Sequence, residues 1–275
     1  MDIKNIAFIG GGNMAHSIIG GLLKNHYPAE NIWVSDPNEE KRQSLRAVFS
    51  VNTTDSNDEA INQADVIVLA IKPQIAKQVL QAASSTLQAN KPLIVSIMAG
   101  VRASDIQAYC GDSAVIRTIP NTPALLGCGV TGLYATNKTS ESEKNFAENI
   151  MRAVGVAIWL DSEEKIDTVT ALASSGIAYF FYVMEVMQLA GEHAGLSPEE
   201  SKIFVLEAGY GAARMALESK DDVVKLRKNV TSPNGTTEQG VKVLIDGGLK
   251  EIFQKTIMAA KNRAKELSEE FSKKE

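Results

Sequence analysis

The first 160 residues alternate between short apolar runs and segments whose apolar residues recur at helical spacing. Such alternation is typical of an α/β sheet with helices on both faces. The apolar runs predicted to be strands are 3–9, 32–35, 66–71, 93–97, 115–119, 130–135 and 156–160. The segments predicted to be helices between them include 39–49, 75–87 and 141–154. We therefore expect a doubly wound sheet.

The pattern changes near residue 162. Beyond that point no strand-like run remains, and long helical patterns cover about 163–194, 198–218 and 236–270. We predict two domains, an α/β domain over 1–162 and an all-helical domain over 163–275. No low-complexity linker separates them, so the first helix of the second domain is expected to connect the two.

One predicted helix has almost no polar face. Between residues 179 and 189 nearly every side chain is apolar, including Phe180, Phe181 and Met184. A helix of this kind needs cover on every side, and a second domain of this size can hardly provide it alone. We predict a homodimer through the carboxy-terminal helices, and such dimers could assemble further into a ring.

The chain opens with a strand, a glycine turn and a helix. After the strand over 3–9 comes Gly10-Gly11-Gly12-Asn13-Met14-Ala15, and apolar residues then recur at helical spacing. Gly10, Gly12 and Ala15 occupy the three small-residue positions of a dinucleotide-binding fingerprint, where they allow a turn, close approach to a pyrophosphate, and helix packing. We expect a Rossmann-like domain that binds a dinucleotide through residues 10–15.

The second strand ends at Asp36, where a ribose-binding group is expected. Its carboxylate would accept the ribose hydroxyls of NADH and repel the 2′-phosphate of NADPH. Lys41 and Arg42, one helical turn further on, could bind that phosphate, although such charges on a surface helix are more often simply solvated. These residues leave the choice between NADPH and NADH open.

Three loops follow successive strands, at the edge where open α/β sheets bind ligands. They are Ile71-Lys72-Pro73 after Ala70, Ala99-Gly100-Val101, and the loop 120–125 with Asn121 and Thr122. Gly100 would leave room for a flat ring, and Asn121 would offer polar groups to a carboxamide or ribose. We expect the nicotinamide to lie at these loops.

A second anion site is predicted near the other end of the chain. Pro233, Asn234 and Gly235 predict a tight turn, and Thr236 or Thr237 is suitably placed to cap the following helix. Free backbone amides and the helix dipole would bind a carboxylate here without a cationic side chain. An ordinary helix-capping loop is the alternative.

Composition narrows the possible partners. The chain has 275 residues, 44% of them hydrophobic, and a net charge of −5, which favours a globular protein and offers no basic surface for nucleic acid. Two cysteines show no metal-binding or disulfide spacing, and the amino terminus lacks a secretory pattern. We expect a cytoplasmic protein with no metal site. The uncharged stretch 168–184 contains threonine, serine and glycine, and we interpret it as a buried helix without a membrane span.

Taken together, these segments resemble pyrroline-5-carboxylate reductase, the last enzyme of proline biosynthesis, over nearly the whole chain. The similarity lies in five blocks: Phe8–Ala15, Ala70-Ile71-Lys72-Pro73, Ala99-Gly100-Val101, Pro120-Asn121-Thr122-Pro123-Ala124 and Val230–Thr237. The last block is the most specific, because dehydrogenases of related fold lack it.

The resemblance implies an NAD(P)H-dependent reduction of the cyclic imine 1-pyrroline-5-carboxylate to L-proline. We expect NADPH as the cofactor, with NADH as the alternative. Ser232, Gly235 and Thr236 would bind the substrate carboxylate, largely through the backbone, and the Thr237 hydroxyl would face the ring nitrogen. The resemblance also implies that Asn57 and Lys72 lie along the cofactor.

The chain departs from the family pattern at three places. Ile177 stands where the family usually has proline, which leaves a kink in the first long helix open. Asn234 replaces a glycine, and the turn should survive because asparagine tolerates a left-handed backbone. The segment Lys220–Val224 replaces a usual Glu-His-Pro-Gly, so a loop contact is either lost or replaced.

The predicted chemistry requires position and electrostatics more than a strong base, because the cofactor supplies the reactive group. His16, His26 and His193 lie on helices or at their ends and are expected to be structural. A β-hydroxyacid dehydrogenase would share the architecture, but its helical lysine has no counterpart between residues 168 and 189. A nucleotide sensor that binds NAD(P)H without consuming it is the third possibility.

Overall fold

The computed structural model describes residues 3–273, which form two compact units. The first contains the chain up to Ser174 together with the segment from Ala260 onward, and the second contains Ser175–Ala259.

An eight-stranded sheet forms the centre of the first unit. Its strands lie in the order β3-β2-β1-β4-β5-β6-β7-β8, and every neighbouring pair is parallel except β6 with β7. The strands are β1 (Ile6–Ile9), β2 (Ile32–Ser35), β3 (Asn52–Thr54), β4 (Val66–Leu69), β5 (Leu93–Ser96), β6 (Val115–Ile119), β7 (Gly129–Ala135) and β8 (Gly155–Trp159). After β1 the chain adds strands first on one side, as β2 and β3, and then on the other side, as β4 and β5. This switch in strand order, between β1 and β4, creates the crevice in which such sheets bind nucleotides.

Helices cover both faces of this sheet. Phe8 of β1 packs in a core with Val34 and Val68, whereas Ala7 and Ile67 belong to the core on the opposite face. The helices are α1 (Asn13–Lys24), α2 (Glu39–Phe49), α3 (Asn57–Asn62), α4 (Pro73–Ala82), α5 (Ser84–Asn90), α6 (Ala103–Cys110), α7 (Glu141–Arg152) and α8 (Glu164–Val169). Burial on both faces explains why the central strands are apolar at nearly every position. The predicted doubly wound architecture is confirmed.

The sequence prediction differs from the structure in a few elements of this unit. The strand β3 was missed because its residues, Asn52-Thr53-Thr54, lack an apolar run. The predicted helix over 75–87 is two helices that meet at Ala83. The predicted strand over 3–9 begins only at Ile6.

Helices alone form the second unit. The helices are α9 (Gly176–His193), α10 (Pro198–Glu218), α11 (Val223–Asn229), α12 (Thr236–Asp246) and the first part of α13 (Leu249–Lys273). Helices α9 and α10 pack closely where a glycine faces a side chain. A methyl group on Gly191 would lie 2.8 Å from the Ser201 hydroxyl, and one on Gly209 would lie 3.2 Å from the Met184 methyl group.

The long helices predicted after residue 163 are interrupted. A π-helical turn, Thr170–Ser174, separates α8 from α9. The short α11 was not predicted, and the predicted helix over 236–270 breaks where Gly248 adopts a φ of +73°. Glycine allows this left-handed conformation at little cost.

The apolar helix α9 is largely exposed in the single chain. Phe180, Phe181 and Tyr182 are each about two thirds exposed. Within residues 3–273, only the stretch Glu164–His193 is long and apolar enough to cross a membrane, which is weak evidence for a span. The single chain therefore does not bury this helix, and its apolar surface needs another cover, as the predicted dimer would provide.

The two compact units divide at Ser174, beyond the predicted boundary at residue 162. Contacts with the sheet explain the position of this division. Arg117 on β6 pairs with Glu163 at 3.1 Å and Asp167 at 3.7 Å, which ties α8 to the first unit. The end of α13 also joins this unit, where the Ser272 hydroxyl donates to the Asp105 carboxylate at 3.0 Å.

Candidate active site

The glycine turn after β1 is too crowded for a side chain at its first residue. Gly10 adopts a φ of +101°, and its amide donates to the Ser35 carbonyl at 2.7 Å. A methyl group on Gly10 would lie 2.5 Å from the Ala70 carbonyl oxygen. The absence of a side chain therefore lets the ends of β1 and β4 approach each other.

Gly12 has the opposite surroundings. It precedes α1 in an extended conformation, and a methyl group there would have no neighbour within 4 Å. No side chain caps α1, so the amides of Asn13, Met14 and Ala15 in its first turn have no helical acceptor. Ala15 itself is fully buried. This open helix start suits a pyrophosphate.

A cavity of about 710 Å³ lies at this turn, entirely within the first unit. It extends from α1 and α2 to the loops that follow β4, β5 and β6. Its lining includes these residues that the sequence predicted: Gly12, Asn13, Met14, Lys41, Ala70, Lys72, Pro73 and Ala99. The three predicted loops therefore do border one cavity at the carboxyl edge of the sheet.

Asp36 lies at the end of β2 and is almost fully buried. One carboxylate oxygen accepts the Asn38 amide at 2.9 Å, and the other accepts the Gly11 amide at 2.9 Å and the Lys41 ammonium at 3.3 Å. Burial raises the pKa of Asp36, but these hydrogen bonds and the Lys41 charge outweigh it and hold the pKa below its usual value. The carboxylate is therefore charged and already engaged.

The two cations near Asp36 have different surroundings. The Arg42 side chain is only 11% exposed, donates to the Asp36 carbonyl at 2.6 Å and forms an ion pair with Glu39. The Lys41 side chain is 51% exposed and lines the cavity. The suggestion that Arg42 could reach a ribose phosphate is wrong, because its guanidinium stabilises the loop from the buried side.

Three predicted cofactor residues have structural partners. Gly100 was expected to leave room for a ring, but a methyl group on it would lie 3.4 Å from Leu267 of α13, so Gly100 faces the carboxy-terminal helix. The Asn121 amide donates to the Ala173 carbonyl at 3.1 Å and accepts the Val130 amide at 2.9 Å, so the polar groups offered to a ligand are engaged elsewhere.

Asn57 begins α3, where its side chain accepts a hydrogen bond from the Ser35 hydroxyl. This contact ties Asn57 to the end of β2, next to Asp36, and it does not line the cavity.

Several cavity residues were missed by the sequence reasoning. His16, which was expected to be structural, lines the cavity, and its ring packs against Phe49 with centroids 4.4 Å apart and an angle of 57° between the ring planes. Ser44, Thr170 and Ser174 also line the cavity. The helical spacing of His16 from the glycine turn and of Ser44 from Lys41 could have indicated these two positions.

The predicted substrate segment lies in the second unit. Asn234 adopts a φ of +60°, which confirms that asparagine supports the left-handed turn. The Gly235 amide donates to the Ser232 carbonyl at 3.0 Å, and the Asn234 amide donates to Glu238 at 2.8 Å. The turn is therefore closed by its own backbone and by the first turn of the helix.

The start of α12 differs from the prediction. Gly235 is the residue that precedes the helix, and no side chain caps it. Thr236 and Thr237 lie inside the first turn, so neither can be the cap that was expected. Since Gly235 lacks a capping side chain, the amides of the first turn have no helical acceptor. They are available to an anion.

Two other departures from the family pattern also have structural outcomes. In the segment Lys220–Val224, Asp222 accepts the Lys225 amide at 2.8 Å and caps α11, so a capping contact stands in that loop. Ile177 lies within the first turn of α9, directly after the π-helical turn Thr170–Ser174. A helix interruption is therefore present without proline.

Among residues 3–273 no group of three or more metal-ligating side chains is found.

Comparisons with known proteins identify both parts of the chain. Residues 163–267 match the family described as pyrroline-5-carboxylate reductase dimerisation, and residues 5–100 match the family described as coenzyme F420-dependent NADP oxidoreductase. The first match assigns the exposed apolar helices to self-association, which confirms the predicted dimer.

Similar proteins extend over the full length. A pyrroline-5-carboxylate reductase of Pseudomonas aeruginosa is 45% identical over 98% of this chain and 99% of its own, and that of Pasteurella multocida is 40% identical over 98% and 100%. The solved reductase of Coxiella burnetii is 44% identical, has a TM-score of 0.94 and is matched over 97% of this chain and 99% of its own. A Plasmodium falciparum pyrroline carboxylate reductase solved with NADP bound is 27% identical over 98% and 99%, with a TM-score of 0.84. The chain belongs to the pyrroline-5-carboxylate reductase family.

Proposed function

We propose that this protein reduces 1-pyrroline-5-carboxylate to L-proline with NADPH, and that NADH is an alternative reductant. The observation that carries the proposal is the uncapped start of α12, which follows the turn at Asn234 in a chain similar over its full length to named reductases. A cyclic imine with a carboxylate needs an anion site of this kind, together with a nicotinamide.

The residues of the first unit fit a dinucleotide. The free space at Gly12 and the uncapped start of α1 suit a pyrophosphate. The loops with Ala70, Lys72 and Ala99 border the rest of the cavity. When bound there, NADPH would supply a hydride. The protein supplies position and excludes water.

We assign the substrate carboxylate to Ser232, Gly235 and Thr236. The first-turn amides of α12 and the positive end of its dipole would bind the carboxylate without a cationic side chain. Glu238, in the same turn, is already engaged by the Asn234 amide at 2.8 Å. The Glu238 carboxylate is therefore restrained by a backbone donor.

The Thr237 hydroxyl is assigned to the imine nitrogen. A hydride would add to the imine carbon, the electron pair of the C=N bond would move to nitrogen, and that nitrogen would take a proton from solvent to become the secondary amine of proline. The reductant loses two electrons and the substrate gains them. A hydrogen bond at the nitrogen stabilises the negative charge that shifts onto it. Thr237 therefore needs only to donate a hydrogen bond, and no strong base is required.

Replacement of Thr237 tests this assignment. We expect Thr237→Ala to lower turnover about 10- to 100-fold, because a donor that strengthens in the transition state is lost. The matched variant Thr237→Ser keeps the hydroxyl and should retain most activity. Turnover is followed by loss of the reduced nicotinamide absorbance. Equal turnover in the alanine variant and the parent would remove Thr237 from the mechanism.

We also propose a cytoplasmic location, where reduced nicotinamide cofactor is available. Cys110 and Cys128 are both free thiols, in keeping with a reducing compartment. Cell fractionation with activity in the soluble fraction would support this location, whereas activity in the membrane fraction would contradict it.

A further inference from the structure

The surroundings of Asp36 conflict with simple recognition of NADH. A carboxylate that binds a ribose diol must offer acceptor positions to two hydroxyl groups. At Asp36 three donors already occupy the carboxylate, namely the amides of Gly11 and Asn38 and the Lys41 ammonium. Little of the capacity of the carboxylate remains for a diol.

The same arrangement suits a phosphate better than the sequence alone indicates. Lys41 offsets the negative charge of Asp36 at 3.3 Å, and half of its side chain is exposed at the cavity. Because the ammonium has three donors and a flexible stem, it can contact a second anion beside Asp36.

A second donor lies on the same face of α2. Ser44 is three residues after Lys41, so the two side chains are neighbours on the helix, and both line the cavity. Arg42 points to the buried side of α2, where it is held by Glu39 and the Asp36 carbonyl. Only the Lys41 side of this helix can therefore meet a ligand in the cavity.

We propose that Lys41, with Ser44 beside it, binds the 2′-phosphate of NADPH and makes this protein prefer NADPH over NADH. The proposal rests on the proposed cofactor and adds the residues that select it. Arg42 holds the loop from beneath and makes no contact with the phosphate. Without Lys41, the charge of Asp36 would repel the phosphate, and the carboxylate would regain acceptor capacity for the ribose hydroxyls of NADH.

Binding of nucleotide fragments tests the proposal without any catalytic step. Titration calorimetry with adenosine 2′,5′-bisphosphate and with adenosine 5′-monophosphate measures the contribution of the 2′-phosphate directly. We expect the intact protein to bind the bisphosphate at least about tenfold more tightly, the factor that about 1.4 kcal/mol provides. In Lys41→Ala this preference should be lost, while affinity for the monophosphate should be unchanged or higher.

Arg46→Ala is the matched control. It removes a half-exposed, ion-paired cation from the same helix, at a position that does not line the cavity. The control should keep the preference for the bisphosphate. A parent protein without that preference, or a Lys41→Ala variant that retains it, would overturn the proposal, as would an equal loss in Arg46→Ala.

Steady-state kinetics give a second readout. The ratio of kcat/KM for NADPH to that for NADH should fall at least about tenfold in Lys41→Ala and remain unchanged in Arg46→Ala. The fragment experiment does not depend on reduction of any imine, so a failure of the proposed reaction would leave its result intact.

Discussion

Replacement of Gly10 or Gly12 by alanine should have different effects on stability and on cofactor binding. In Gly10→Ala the new methyl group would lie 2.5 Å from the Ala70 carbonyl oxygen, at a residue with a φ of +101°. In Gly12→Ala the methyl group would have no neighbour within 4 Å, and the backbone is extended. We expect Gly10→Ala to destabilise the fold and Gly12→Ala to impair only cofactor binding.

The structure sets the size of each effect. A strained φ costs about 1–3 kcal/mol, and overpacking against fixed backbone adds about 1–3 kcal/mol. The free energy of unfolding of Gly10→Ala should therefore fall by about 2–6 kcal/mol. In Gly12→Ala it should change by less than about 1 kcal/mol, because the unfolded chain loses entropy and the fold gains no clash.

Cofactor affinity should show the opposite order, with the larger effect in Gly12→Ala. The open space at Gly12 is where the pyrophosphate backbone would approach, and a methyl group would push it away from the amides of α1. We expect Gly12→Ala to weaken NADPH binding at least about tenfold, or about 1.4 kcal/mol.

Thermal unfolding without ligand and fluorescence titration with NADPH separate these two outcomes. A loss of about 3 kcal/mol should lower Tm by about 6–12 °C for a chain of this size, so Gly10→Ala should be clearly resolved from the parent. A Gly12→Ala variant with unchanged NADPH affinity, or a Gly10→Ala variant with unchanged Tm, would refute the reading of this turn.

Three further predictions concern other parts of the chain. Asn121→Asp removes the donor that reaches the Ala173 carbonyl in the π-helical turn and leaves that carbonyl without its partner. We expect the free energy of unfolding to fall by about 1–3 kcal/mol and the KM for NADPH to rise. Unchanged values in denaturant titration and kinetics would contradict this role. Phe181→Lys introduces a charge on the exposed apolar helix and should produce monomers in sedimentation, whereas Val48→Lys, on the first unit, should remain a dimer; a dimeric Phe181→Lys would place the interface elsewhere. Burial raises the pKa of Cys110 to about 12, so a thiol reagent at neutral pH should modify only the exposed Cys128 in the folded protein. Mass spectrometry identifies the modified residue, and rapid modification of Cys110 would contradict its burial.

Local pattern was sufficient for much of the fold. The strand β2 was predicted with its observed ends at Ile32 and Ser35, because a short apolar run bounded by polar residues has few other readings. The left-handed turn at Asn234 was also predicted correctly, since it depends on the conformational preference of a single residue. The apolar face of α9 indicated a dimer before any partner was known.

Long-range contacts were beyond the reach of the pattern. Gly100 faces Leu267, a residue far along the chain, and no local spacing predicts that approach. Asn121 was expected to serve a ligand but joins Ala173 to Val130, because its position in the loop does not indicate which distant backbone groups lack partners. The different roles of Lys41 and Arg42 could not be predicted for the same reason, since only the fold shows which face of α2 is buried.

Oxidation of NADPH by the purified protein in the presence of 1-pyrroline-5-carboxylate, with identification of the product as L-proline, decides whether the protein is a reductase. We expect rapid loss of the nicotinamide absorbance and stoichiometric proline, with a slower reaction when NADH replaces NADPH. Tight binding of NADPH without its consumption would contradict the proposed reaction and favour a nucleotide sensor.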